Sequence, residues 1–263
     1  MSGPGYDRLG LVTDYYRDLA DDYDWLYDNE ALTDGFAINR PAVAGVLERL
    51  GPGAAVLDAA CGTGLDAAAL ARRGFRVQAT DGSDSMVEIA AARFRREGLA
   101  VPVRRCLWAD LPDTIDERFD AVLCMGNALP HAAGQEAMVA ALTGLRQMAR
   151  PGGYVVIHSR NWERLHAERQ IVQVTNQVRN RGGRRCILLY AWDVPERLDQ
   201  EHVAHIVFLF EEGDLVEPHE YRVALLPVTR SELRDRLELA GLREVGTDFS
   251  ETTDQYFVIA APA

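Results

Sequence analysis

Basic charge is scarce in this sequence. Its 263 residues carry 28 Lys and Arg against 40 Asp and Glu, a formal net charge of −12. Gripping a phosphate backbone needs a basic surface, so the balance argues against nucleic acid as a partner. The tight basic cluster of Arg181, Arg184 and Arg185 beside Gly182-Gly183 reads as a solvated hairpin turn. Cysteine is scarce too. Cys61, Cys106, Cys124 and Cys186 never approach metal-clip spacing, and a chain of this size does not depend on disulfides. No apolar run nears the ~20 residues that span a bilayer, and Met1 to Arg17 holds no signal-peptide core. The expectation is a cytoplasmic protein in a reducing compartment, with no membrane partner. Walker loops, Gly-x-Ser-x-Gly and His-Glu-x-x-His are absent, and His131, His158 and His166 form no metal cluster, so no metal is expected.

What is present is ample material for a core, with 48% hydrophobic residues. Residues 1–50 are acidic and rich in tyrosine (Tyr6, Tyr15, Tyr16, Tyr23, Tyr27), with a helix predicted over 14–28 and another over 40–50. From residue 54, strands and helices alternate. The strands are 54–58, 75–80, 101–106, 121–125 and 154–158. The helices are 65–73, 84–97 (with Ser83 as N-cap) and 135–148, the last stopped by Pro151-Gly152-Gly153. Such alternation predicts a mostly parallel sheet covered on both faces. Over 170–228 the rhythm becomes β-rich. Segments 171–178 and 186–192 flank Arg181-Gly182-Gly183, and segments 202–210 and 221–226 flank Gly213-Asp214, as two antiparallel hairpins. A helix over 231–240 and a strand over 256–260 return to the α/β core.

The chemistry gathers at strand ends. Asp58-Ala-Ala-Cys-Gly62-Thr63-Gly64 lies between the first strand and a helix, where glycines let backbone approach a ligand. A lone Gly-x-Gly suits a dinucleotide fold or tight packing equally well. Three additions narrow it. Asp81, 17 residues after Gly64 at the end of the second strand, can accept both hydroxyls of a ribose. Asp58 would repel a pyrophosphate and attract an ammonium group. Trp108, after the third strand, can cover an adenine face, with Asp110 accepting from its amine. Arg160, at the end of the fifth strand, offers a fork of donors for a carboxylate, or else an ion pair with a nearby acid. Asn127, at the end of the fourth, can orient an amine or hydroxyl nucleophile, or else bond its own turn.

Val56-Leu-Asp-Ala-Ala-Cys-Gly-Thr-Gly64, Ala79-Thr-Asp-Gly-Ser-Asp-Ser-Met86, Leu107-Trp108 and Pro151-Gly-Gly153 resemble the motif series of class I S-adenosylmethionine-dependent methyltransferases. Phe119-Asp-Ala-Val-Leu-Cys-Met-Gly-Asn-Ala-Leu-Pro-His131 and Val156-Ile-His-Ser-Arg-Asn161 are similar to the glycine N-methyltransferase family. The resemblance implies a Rossmann-like, doubly wound, mostly parallel seven-stranded α/β sheet with an antiparallel β insertion after strand five. It implies an N-terminal helical cap over the cofactor site at 1–53, a core at 54–161 and 229–263, and an insertion at 162–228 serving as substrate lid or subunit contact. It implies S-adenosylmethionine contacts from Asp58, Ala60, Gly62, Gly64, Asp81, Gly82, Met86, Leu107, Trp108, Met125 and His131, with Arg40 on the methionine carboxylate. Asn127, Arg160, Tyr15 and Tyr27 would border the acceptor. The activity implied is N-methylation of a small amine, with an amino acid or another carboxylate-bearing amine as the candidate acceptor, by a chain that forms homo-oligomers. An O-methyltransferase of a natural product and a non-catalytic cofactor-binding regulator stand as alternatives. Leu225-Leu226-Pro227, where the family pattern suggests tyrosines, points to a more apolar lid.

Overall fold

The computed structural model describes residues 15–169, 171–175 and 178–263. Tyr6 and the first residue of the helix expected over 14–28 lie outside them. Five strands come first: β1 (Ala55–Asp58), β2 (Arg76–Asp81), β3 (Val103–Arg105), β4 (Phe119–Cys124) and β5 (Ala149–Arg160). The insertion supplies β6 (Val172–Val174), β7 (Arg179–Arg181), β8 (Arg184–Asp193), β9 (His202–Glu212) and β10 (Leu215–Leu225), and the chain closes with β11 (Leu242–Thr247) and β12 (Gln255–Pro262).

One seven-stranded sheet has the order β11-β12-β5-β4-β1-β2-β3. Its pairs from β3 to β5 are parallel; β12 runs antiparallel to both neighbours. The expected seven-stranded α/β sheet is therefore present. The strand order reverses at β1, so the C-terminal ends of β1, β2 and β4 open onto one crevice. Strands β1 and β4 are buried throughout, and apart from Asp58 and Asp120 their residues are apolar, as a sheet covered on both faces requires. Side chains alternate between two cores. Leu57 and Val122 meet the helix Gln135–Met148 on one face, and Val56 and Leu123 meet Leu70, Phe94 and Phe257 on the other.

Local chemistry sets the helix boundaries. The Ser83 hydroxyl accepts from Met86 N–H at the start of Asp84–Arg96, and Thr229 with Glu232 forms a capping box before Arg230–Leu239. The single helix expected over 14–28 is instead a helical stretch at 15–19 and a 3-10 turn, Tyr23–Leu26, followed by a separate helix, Asn29–Asp34. The aspartates explain the break. Asp28 accepts from Ala31 N–H at 2.7 Å and starts a new helix, while Asp22 and Asp24 are drawn into tertiary bonds. Tertiary partners outweigh helix periodicity here.

The insertion forms a second sheet, β10-β9-β8-β6, with β7 paired to β8. The hairpin turns at Gly182-Gly183 and Gly213-Asp214 stand where expected. One face buries Cys186, Leu188, Ile206, Phe208 and Phe210 against Leu19, Tyr15, Tyr23, Trp25 and Leu26. The insertion thus packs on the N-terminal segment. No described helix is long and apolar enough to cross a membrane, and all four cysteines are free and buried.

Candidate functional site

A cavity of about 320 Å³ lies at the C-terminal ends of β1, β2 and β4. That sits at the small end of the ~300–1,000 Å³ typical of ligand pockets. Its floor is the glycine loop. Gly62 (φ 52°) and Gly64 (φ 83°) are both in the left-handed region, but they serve different ends. A Cβ on Gly62 would meet the Tyr23 ring at 3.2 Å, beside the cavity. A Cβ on Gly64 would meet Phe94 at 2.7 Å, so Gly64 admits the neighbouring helix and does not line the cavity.

Asp81 holds this loop in shape. One carboxylate oxygen accepts from Gly62 N–H at 2.8 Å and the other from Ser83 N–H at 3.0 Å. Asp58 and Asp66 line the same cavity. Asp66 is held by the backbone N–H groups of Phe36, Ala37 and Ile38. Burial pushes all three carboxyls above their ordinary range, and at Asp58 repulsion from Asp66 and Asp81 adds to it. Among the described residues none of the three forms an ion pair. The cavity therefore disfavours anions and favours a cation.

Trp108 forms a wall. Its indole N–H donates to Ala59 O at 2.7 Å, fixing the ring against the end of β1. Ala60, Gly82, Leu107, Met125 and His131 line the cavity with it. Asp110 is exposed and does not. Over the opening stand Tyr16, Tyr23 and Tyr27. Tyr16 OH pairs with His131 Nε2 at 2.9 Å, and Tyr27 OH donates to Tyr23 OH at 3.4 Å. Burial drives all three phenols well above their ordinary pKa, so they stay neutral. Tyr15 lies outside, edge-on to Tyr16 at 4.9 Å and wedged between the cores. Tyr16 and Tyr23 belong to the tyrosine-rich stretch, but the resemblance points only to Tyr15 and Tyr27. Adjacent helical residues point ~100° apart, and nothing in the local sequence says which of Tyr15 and Tyr16 faces the loop.

Asn127 and Arg160 sit beside the cavity without lining it. Asn127 adopts φ 57° just past β4, and its side-chain oxygen accepts from Arg160 N–H at 2.9 Å. That bond fixes the amide orientation, and the remaining end of Asn127 is an NH₂ donor. The Arg160 guanidinium lies 4.8 Å over the Trp192 ring and donates to Gln173 at 3.5 Å. Burial lowers its pKa. Among the described residues it has no salt bridge. Arg40 is exposed at the start of the helix Pro41–Leu50, and Met86 is buried in the first turn of its helix; neither lines the cavity. His158 stacks on Phe257 at 4.6 Å, and burial lowers its pKa to about 3. Leu225 is buried in the core, and Leu226 N–H donates to Pro130 O at 3.1 Å, behind His131. The described residues contain no His, Cys, Asp or Glu cluster fit for a metal.

The basic cluster is not simply solvated. Arg184 and Arg185 pair with Glu217 and Glu211 at the surface. Arg181 instead reaches the N-terminal segment, donating to Asp24 O at 2.9 Å and Tyr27 O at 2.5 Å and lying 4.7 Å over Trp25. The hairpin brings it to carbonyls that sequence spacing could not place.

Residues 56–153 match the family model of a methyltransferase domain. The chain is 35% identical to glycine N-methyltransferase of Homo sapiens over 123 residues, which span 42% of this chain and 42% of that protein. It is 26% identical to the glycine/sarcosine N-methyltransferase of Aphanothece halophytica over 202 residues, 76% of this chain and 71% of that one. The structure of the CcbJ methyltransferase from Streptomyces caelestis has a TM-score of 0.74 at 23% identity, covering 98% of this chain and 100% of the other; at that identity the likeness is one of fold. Residues 56–153 are accordingly a methyltransferase domain, on the Rossmann-like fold of the class I S-adenosylmethionine-dependent enzymes, in a chain that resembles the glycine N-methyltransferases.

Proposed function

We propose that this chain is an S-adenosylmethionine-dependent N-methyltransferase whose acceptor is a small amine bearing a carboxylate. The cofactor half of this reading is supported by Asp58, Asp66 and Asp81, which line one cavity with no ion pair among the described residues. A pyrophosphate-bridged nucleotide would be repelled there, whereas a ligand with an ammonium group, a sulfonium and a ribose meets the charge it needs. Trp108 and Leu107 offer flat apolar surface for a base.

One observation carries the acceptor half: a partly buried guanidinium with no counter-ion among the described residues, next to an amide whose free end is a donor. An unpaired buried charge is costly. A carboxylate between Arg160 and Asn127 would take charge-assisted hydrogen bonds from both. The relatives named for glycine and sarcosine methylation are consistent with such an acceptor.

When bound, S-adenosylmethionine supplies a methyl group already activated for in-line displacement. What the protein must add is position and dryness. Arg160 and Asn127 would anchor the acceptor, and neutral Tyr16, Tyr23 and Tyr27 would close off water and accept from an amine. Desolvation lowers the pKa of an alkyl ammonium and favours the free amine, so no strong base is needed. A hydroxyl acceptor would need one. The cavity imidazole, His131, has Nε2 engaged by Tyr16, and His158 is too weakly basic at about 3.

Calorimetry with S-adenosylhomocysteine and NAD⁺ should give binding to the first alone, and product mass from a panel of amines should show added methyl groups on carboxylate-bearing members. Turnover confined to hydroxyl compounds, or tight cofactor binding with no turnover of any acceptor, would reject the proposal. Asp81→Asn should weaken S-adenosylhomocysteine by roughly 100-fold, because its NH₂ end faces backbone N–H donors and loses the charged acceptor. Unchanged affinity would remove Asp81 from the ribose site.

A further inference from the structure

We propose that Arg179, with Arg181 beside it, is a positioning residue that holds residues 23–27 closed over the cofactor cavity; the cofactor part rests on the reading above. A short 3-10 turn leaves its last carbonyls without partners. Here the arginines of one strand of the insertion fill them. Arg179, only 8% exposed, donates through Nε to Tyr27 O at 2.7 Å and through a terminal nitrogen to Leu26 O at 3.0 Å. Its other terminal nitrogen donates to Thr175 Oγ1 at 3.1 Å. Arg181 adds Asp24 O, Tyr27 O and the Asn29 side chain.

The same turn is fastened on its opposite side. The Asp24 carboxylate accepts from Thr63 Oγ1 at 2.6 Å, inside the glycine loop, and from Arg93 at 2.5 Å. Arg93, itself buried, donates to Thr63 O at 2.8 Å. The turn is thus held by its backbone from the insertion and by its side chain from the core. Between these two fastenings Tyr23 and Tyr27 face the cavity, with Tyr23 against Gly62. A ligand of that cavity cannot pass this side unless the turn lifts, and lifting it breaks the arginine bonds. The insertion therefore acts on cofactor retention without touching the cofactor.

The test is hydrogen exchange on the full chain, with and without S-adenosylhomocysteine. In ligand-free Arg179→Ala, amides of residues 23–27 should exchange roughly tenfold faster, the effect of losing about two net hydrogen bonds. Amides of β1 and β4 should keep their protection. S-adenosylhomocysteine should dissociate roughly tenfold faster. Arg179→Lys should recover only part of the protection, since an ammonium cannot reproduce the planar fork. Unchanged exchange at 23–27, or an equal loss in β1 and β4, would overturn the proposal. Should Arg179→Ala fail to fold, the half-exposed Arg181→Gln must give the same local signature, and its absence would be equally decisive. If the wild-type chain ignored S-adenosylhomocysteine, the functional reading would fail, while the exchange data would still decide whether the arginines hold the turn.

Discussion

Arg160→Ala is expected to raise KM for a carboxylate-bearing amine by about 100-fold, or ~3 kcal/mol, the scale of a desolvated charge-assisted pair. Carboxylate-free analogues should change by less than about threefold. The difference follows from geometry: the guanidinium lies over Trp192, its one described side-chain hydrogen bond goes to Gln173 at 3.5 Å, and its backbone is tied to Asn127. Removing it takes away an anchor and leaves the strand end in place. If the carboxylate is bound equally in ground and transition states, kcat should hold while KM rises. Arg160→Lys should restore little, because a single ammonium does not match the fork or the stacking. Steady-state kinetics on paired substrates decides this. Equal effects with and without the carboxylate would reject the role.

Gly144→Ala is expected to destabilise the fold by ~3 kcal/mol or more, and the sign matters. Helix propensity alone predicts a gain of ~1 kcal/mol, since Gly144 lies inside the helix Gln135–Met148. Tertiary structure reverses this. A Cβ there would stand 2.0 Å from Trp108 O and 2.8 Å from Trp108 C. Backbone cannot move aside as a flexible side chain can, so the turn Trp108–Asp110 must shift. That shift would pull the indole from Ala59 O and damage the cavity wall. Urea denaturation should show the lost stability, and calorimetry the weakened S-adenosylhomocysteine binding. A more stable variant would mean that the helix and the turn are not in this contact.

Local sequence chemistry was sufficient wherever neighbours in the chain decide the outcome. Ala55–Leu57 and Ala121–Cys124 are short apolar runs that a sheet covered on both faces buries, and Ser83 caps its own helix. The strand Leu242–Thr247, by contrast, carries no periodicity that marks it as a separate element. It is six residues of half-exposed alternation at a sheet edge, and it takes its identity from pairing with β12. The helix expected over 14–28 breaks for a related reason: Asp22 bonds His219 and Tyr221, and Asp24 bonds Thr63, all far away in sequence.

By itself, then, the sequence determined the sheet, the glycine loop and the strand-end residues Asp58, Asp81 and Trp108, because each follows from periodicity or from a short turn. Only the tertiary structure decided that Tyr16 and Tyr23 stand over the loop with Tyr27 while Tyr15 does not, and that Arg181 serves the N-terminal segment instead of solvent. Those choices depend on side chains meeting groups more than 100 residues away in the chain, as in Tyr16 with the His131 ring and Arg181 with the Asp24 carbonyl. No local propensity encodes such pairings; they exist only once two sheets and a connecting segment have packed together.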